Sequence, residues 1–190
     1  MVNDHEQSRL EQAQLQRARS FDRQVLAAIY DEFQQPIYRY IYRQVGDVEV
    51  ARDLTSDVFQ RFLQALQKNQ GPEEQLKAWL YRVAHNNVID YYRRRQHRQH
   101  LPLDEHVVEK GDSPATLAER NISAEKVREA LIQLTPDQRE VITLKFLEGF
   151  SNVEVADLLN KPIGAVKSLQ HRALAALQRQ LVIVQDQESV

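Results

Sequence analysis

The sequence predicts an all-α chain: two small helical domains joined by a flexible acidic linker, the C-terminal one a helix-turn-helix. Three observations predict it. Glycine and proline are scarce, five and six in 190 residues, and apolar residues recur at helical rather than alternating spacing. Charge is segregated along the chain. Tyr81–His100 carries five Arg against the single acid Asp90, whereas Leu101–Glu125 carries six acids against two bases and includes Pro102, Gly111 and Pro114. Aromatics are segregated too: twelve of fourteen lie at or before Tyr92, so the two halves have different cores. The expected division is 1–19 as an extension, 20–99 as the first domain and 100–121 as the linker. Residues 122–184 form the second domain and 185–190 a tail.

The elements follow in order. Met1–Arg19 is Gln-rich and charged and reads as a frayed helix or disorder. Phe21, Val25, Leu26, Ile29, Tyr30 and Phe33 keep a helical stripe. Pro36 is expected to open a second helix with Ile37, Tyr40, Ile41 and Val45, stopped near Gly46. A third helix runs from about Val48 to Gln67 on Ala51, Leu54, Val58, Phe62 and Leu66. Lys68–Glu74 is a polar loop. A fourth helix runs from about Leu76 to Arg98, apolar first (Trp79, Leu80, Val83, Ala84, Val88) and basic last. Trp79 is expected in the core.

The second half begins with a helix over Ile122–Leu134. Thr135 and Pro136 then make a start signal, N-cap followed by first helical residue. The helix Asp137–Leu147 is expected to bury Val141, Ile142, Leu144 and Phe146 and to end at Gly149. Ser151 caps the next, with Glu154 completing a capping box. Val155–Ser168 then reads as helix, tight turn and helix. Ala156 is small enough for a close crossing, Asn160 sits where the turn needs positive φ, and Pro162 suits the start of the next helix. Val166 seats the second helix on the first.

That layout is the one whose second helix enters a DNA major groove. From Lys161 to Gln180 four basic residues (Lys161, Lys167, Arg172, Arg179) meet no acid. The fourth helix gives a second signal. Asn86, Asn87, Asp90, Tyr91 and Arg94 fall at spacings of one, three and four and are expected to share a broad face. Amides can bond base edges, Tyr can stack on an unpaired base, and Arg can grip phosphate. An ordinary αα-hairpin and a solvated helix end are the plainer readings of these two features; the one-sided charge favours DNA.

Other classes find little support. The chain has no Cys, so disulfides and thiolate metal sites are excluded, which fits a cytoplasmic location. No apolar run approaches a membrane span, and the first residues lack the apolar segment of a signal peptide. Six scattered His, with no Gly-rich phosphate loop and no Ser-His-Asp pattern, argue against an enzyme. Neither a metal nor another cofactor is expected.

Three segments resemble the extracytoplasmic-function group of the bacterial sigma-70 family over about Phe21–Leu181. Asp53-Leu54-Thr55-Ser56-Asp57-Val58-Phe59 is similar to the family's core-polymerase-binding helix. Ala78–Asp90 is similar to its helix for melting and reading the −10 element. Leu134–Val141, continuing to Gly164-Ala165-Val166-Lys167-Ser168, is similar to its −35-reading domain. The resemblance implies a protein that binds RNA polymerase core, at the clamp of the largest subunit, and directs it to promoter DNA. Asp53, Leu54, Asp57, Val58 and Phe59 would meet core. Lys167, Ser168, His171 and Arg172 would read the −35 duplex. A −10 base would be held between the loop 68–75 and the helix bearing Asn86, with the linker threading toward the RNA exit path. An anti-sigma partner is compatible with the resemblance but not implied by it.

Two departures from the family pattern carry expectations of their own. Leu169 and Gln170 stand where the family has Arg and an apolar residue, which implies a missing DNA contact. Arg52 stands where the family has an acid, reversing a charge that faces a basic clamp. Phosphorylation of Thr55 or Ser56 by a Ser/Thr kinase would restore the negative face. Activation is therefore expected by phosphorylation, at Thr55 ahead of Ser56, rather than by release from an inhibitor. A helix-turn-helix regulator that does not bind polymerase, and an adaptor that binds only proteins, are the alternatives. The first leaves Asp53–Phe59 and Trp79–Asp90 without a purpose.

Overall fold

A computed structural model describes residues 4–99 and 129–188. The chain divides into two compact units, Met1–Val108 and Glu109–Val190. Every regular element among the described residues is helical. The expected acidic linker 100–121 and the start of the helix expected at Ile122–Leu134 lie outside the described residues.

The first unit holds α1 (Asp4–Arg19), α2 (Arg23–Val45), α3 (Val48–Gln67) and α4 (Leu76–Gln99). Here α1 is a formed helix rather than a frayed extension, because Leu15 and Ala18 are buried. At the corner after it, Phe21 leaves the expected stripe: it has φ +56° and is exposed. Asp22 caps α2, accepting from the N–H groups of Gln24 and Val25 at 3.0 and 3.3 Å. The Arg17 guanidinium, 2.6 Å away, holds the Asp22 carboxyl below its ordinary value. The cap's contribution to stability is therefore lost only as pH falls through that lowered value.

Pro36 does not open a helix; it lies inside α2. One apolar stripe runs through it, with Val25 and Ile29 before and Ile37, Tyr40 and Ile41 after, all buried. The carbonyl that loses a partner to proline belongs to Glu32, an exposed residue that water can satisfy. Gly46 ends α2 at φ +73°, donating to the Tyr42 carbonyl at 2.8 Å, and Asp47 caps α3.

Packing of α2, α3 and α4 makes the core. Tyr40 and Tyr81 are fully buried and meet edge to face at 5.3 Å. Trp79 is half-buried against Phe62, centroids 5.8 Å apart. Each such ring pair adds about 0.5–1.5 kcal/mol beyond its buried area.

The second unit begins with helical residues 129–132 and continues with α5 (Pro136–Ile142), α6 (Asn152–Leu158) and α7 (Ile163–Glu188). Thr135 and Gln138 form a reciprocal capping box at the start of α5. Arg139 turns back to cover the carbonyls of Leu131, Ile132 and Leu134 at 2.9–3.3 Å. A π-helical turn, Thr143–Leu147, comes after α5. It inserts one residue into the helical register and rotates the side chains beyond it. Phe146, expected in the core, is therefore 51 % exposed, and Phe150 beyond Gly149 is the buried aromatic.

The proline inside α2 gives a stability prediction. Pro36→Ala restores a helix donor worth up to ~3 kcal/mol, offset by the ~0.4–1 kcal/mol that proline saves in the unfolded chain. The first unit is expected to gain about 1–2 kcal/mol, measured by urea unfolding followed through Trp79, the one tryptophan. No gain would mean that α2 needs the proline for its packing.

Candidate nucleic-acid interface

The turn between α6 and α7 is closed by backbone. Ser151 and Glu154 form the capping box that starts α6, with Glu154 accepting from the Ser151 N–H at 2.6 Å. At its end Lys161 N–H reaches the Ala156 carbonyl at 2.9 Å and Asn160 N–H the Asp157 carbonyl at 3.3 Å. That is a Schellman closure, and Asn160 takes the left-handed position at φ +50°. The Pro162 carbonyl accepts from Ala165 and Val166 and launches α7. Lys161 pairs with Asp137 at 3.1 Å, so the first base of the acid-free run is already engaged.

The inward stripe of α7 is Val166, Leu169 and Ala173, all buried. It leaves Lys167, Ser168, His171 and Arg172 exposed together on the opposite face. Ser168 bonds back to the Gly164 carbonyl at 2.9 Å, and Arg172 to the Ser168 carbonyl at 3.3 Å. Neither Lys167 nor Arg172 meets an acid among the described residues. Leu169 faces the interior, so its departure from the family pattern changes packing rather than removing a charge from the outward face.

On α4 the expected broad face splits in two. Asn86 is exposed; Asp90 is half-buried and pairs with Arg93 at 3.1 Å; exposed Arg94 bonds to the Asp90 carbonyl at 3.3 Å. Asn87 is not on that face. It is 1 % exposed, and its Nδ2 donates to the Leu54 carbonyl of α3 at 3.3 Å while its Oδ1 has no partner. Four residues on, Tyr91 keeps to the same oblique side, half-buried, its ring 5.3 Å from that of Tyr92. Tyr92 in turn donates to the Gln44 carbonyl at 2.7 Å. The reason is the helical period: one residue is a rotation of about 100°, enough to carry Asn87 from the surface into the α3 contact.

The same rule sorts α3. Asp53 and Asp57 are exposed, but Leu54, Val58 and Phe59 are core residues, and Phe59 packs on Tyr30 at 4.8 Å. They shape the helix rather than offer a surface. Thr55 is 3 % exposed and donates to the Ala51 carbonyl at 2.6 Å, so it does not share a face with exposed Arg52. Ser56 is exposed and bonds to the Arg52 carbonyl at 3.0 Å. Arg52 is paired with Glu49 at 2.6 Å. The exposed face from Glu49 to Arg61 thus carries three acids (Glu49, Asp53, Asp57) against two bases (Arg52, Arg61), so it stays net negative and the local charge is not reversed.

Sequence reasoning also missed residues. Glu11 of α1 accepts from the Leu76 N–H at 2.8 Å, and Arg19 donates to the Pro72 carbonyl at 3.3 Å. These contacts span 65 and 53 residues, and no local pattern announces them.

Comparison with known proteins finds two family models, one in each compact unit. The family model for Sigma-70 region 2 matches residues 29–98, and that for Sigma-70 region 4 matches residues 124–177. The chain is 32% identical over 165 residues to the ECF RNA polymerase sigma factor SigX of Bacillus subtilis, covering 84% of each. It is 33% identical over 171 residues to the ECF RNA polymerase sigma factor BldN of Streptomyces coelicolor. That match takes in 88% of this chain but spans only 64% of the length of BldN. Among solved structures it is similar in fold to CnrH, determined in complex with the cytosolic domain of CnrY. The TM-score is 0.69 at 21% identity, over 91% of this chain and 97% of that one.

Burial of Asn87 can be tested directly. Asn87→Leu removes an unpaired buried oxygen and should change stability by less than about 1 kcal/mol. Asn87→Asp buries a charge with no cation beside it and should cost about 3 kcal/mol or more. A surface position would tolerate both within ~0.5 kcal/mol in urea unfolding.

Proposed function

The chain belongs to the sigma-70 family, in its extracytoplasmic-function group, and on that premise we propose how its residues divide the work of starting transcription. The protein binds RNA polymerase core and directs it to a subset of promoters. The observation that carries the reading is the outward face of α7. Lys167, Ser168, His171 and Arg172 stand exposed together on a helix whose other side is fixed in a core. An α-helix of this kind fits the major groove, where Lys and Arg read guanine edges or grip phosphate. We assign these four residues to the −35 duplex.

The first unit takes the −10 element and core. Asn86 and Arg94 face solvent on α4, and Asp90 is neutralised by Arg93 in a way that lowers its repulsion of phosphate. Tyr91 keeps a partly open ring for stacking. The loop 68–75 at the head of α4 would form the other wall of a pocket for one unpaired base. Asp53 and Asp57 supply the acidic surface for a basic clamp, while Glu49 is spent on Arg52. The protein's part is binding and positioning, and the reaction belongs to the polymerase.

Control by a Ser/Thr kinase is the finer expectation, and the geometry withdraws most of its basis. Thr55 is buried and bonded, and Arg52 is already neutralised by Glu49. Ser56 alone keeps access. A Ser56→Ala protein that responds to the inducing signal as wild type does removes the kinase from the account. The alternative of a helix-turn-helix regulator without polymerase leaves the region 2 match, residues 29–98, without a role.

Transcription in vitro with core polymerase and a randomised promoter library tests the reading as a whole. Lys167→Ala and Arg172→Ala should each weaken binding of a selected promoter by ~1–3 kcal/mol if the residue reads a base. If it grips phosphate, the salt slope should fall by about one instead. Asn86→Ala should leave core binding intact while reducing permanganate-detected melting at −10, by a loss of about 1–3 kcal/mol per base contact. Wild-type promoter selectivity in both α7 variants would remove that face from the −35 site.

A further inference from the structure

We propose that α1 braces the loop between α3 and α4, and that Glu11 and Arg19 are positioning residues for promoter opening. The inference rests on the reading of residues 68–75 as one wall of the base pocket.

The loop is short and unfavourable by itself. Asn69 and Gln75, neither of them glycine, hold φ +54° and +55°. Asn69 ends α3 in the left-handed position as Asn160 ends α6, which Asn tolerates; Gln75 is the residue that needs its surroundings to hold it there. The first half of the loop is held by its own chain: Asn69 and Gln70 donate to the Leu66 and Ala65 carbonyls at 3.0 and 2.8 Å. Gly71 packs closely on Leu66: an added Cβ would lie 2.8 Å from Leu66 Cδ2, so that side chain would have to shift.

The second half is held from outside, by α1. The Arg19 guanidinium donates to the Pro72 carbonyl at 3.3 Å and lies 3.6 Å from the Glu73 carboxylate. Pro72 itself is buried. The Glu11 carboxylate accepts the N–H of Leu76 at 2.8 Å. Leu76 is the first residue of α4, and its N–H is one of the donors that a helix leaves without an internal partner. Glu11 therefore caps α4 from a different helix, with a negative charge at the end where the helix dipole favours one. Leu15 and Ala18, buried between the two contacts in sequence, fix α1 so that it grips both points.

This grip has a place in the proposed mechanism. Asn86 lies ten residues beyond Leu76, about 15 Å along the same helix. The loop and the start of α4 are the two things that must stay in register for a flipped base to find both walls. Neither Glu11 nor Arg19 faces DNA in this reading; each acts through the loop.

The test uses the full-length protein, alone and with core polymerase. It uses the template that yields most run-off product from a randomised promoter library. In the free protein, Glu11→Ala should speed amide exchange at Leu76 about fivefold, the factor expected from loss of one cap contact. Glu11→Gln, which keeps an acceptor oxygen but loses the charge, should exchange at a rate between wild type and Glu11→Ala. In the holoenzyme, Glu11→Ala should lower permanganate reactivity at −10 by about the same factor, Glu11→Gln should recover much of it, and core affinity should not change. Arg19→Ala gives the same readouts if Glu11→Ala folds poorly. A Lys68→Ala/Gln70→Ala double variant reports on the loop itself. If it lowers melting while Glu11→Ala and Arg19→Ala melt DNA like wild type, α1 is a structural prop and the inference is overturned. Unchanged exchange at Leu76 overturns it as well. If the loop variant also melts DNA normally, the base-pocket reading fails first and the inference falls with it.

Discussion

A helix in a domain this small has one face for the core, and the choice of that face fixes what the other can do. Every surface proposed to act in this protein is the complement of a buried stripe. In α7 the stripe Val166, Leu169, Ala173 leaves the basic residues outside. In α3 the stripe Ala51, Leu54, Thr55, Val58, Phe62 leaves Asp53 and Asp57 outside. The constraint is strict because a step of one residue turns a side chain by about 100°. Core burial, worth about 1.5–3 kcal/mol for each large apolar side chain, decides the rotation, and the polar residues take the positions left over.

This explains which parts of the molecule were legible in the sequence. The helix starts of the second unit were, because capping signals such as Thr135-Pro136 and Ser151 with Glu154 are local and have few competing uses. The turn at Asn160 was legible for the same reason, since only a few residue types tolerate its φ. The assignment of neighbours to faces was not. Asn86 and Asn87 are chemically identical, and only the α3 contact separates an exposed amide from a buried one. Thr55 and Ser56 present the same problem one helix away.

Two kinds of event lay beyond any pattern. One is a change of register inside an element: the π-helical turn after Ile142 is written in no obvious residue, yet it exchanges Phe146 for Phe150 in the core. Proline in α2 is the converse, a strong local stop signal overruled because the apolar stripe on both sides had a core to enter. The other is contact across a long stretch of chain. The grip of α1 on the loop before α4 depends on a carboxylate and a guanidinium that look, in sequence, like ordinary solvated charges.

The closed turn of the second unit has a consequence for how such proteins diversify. Its geometry is held by main-chain bonds, by Asn160 and by apolar residues, and none of these is among the four exposed positions of α7. Lys167, Ser168, His171 and Arg172 form a cassette that can be rewritten while its mounting stays the same. On the proposed −35 assignment, a duplicated gene could drift to a new set of target sequences through those codons without passing through an unfolded intermediate. The same separation lets an engineer install several mutually insulated switches on one scaffold.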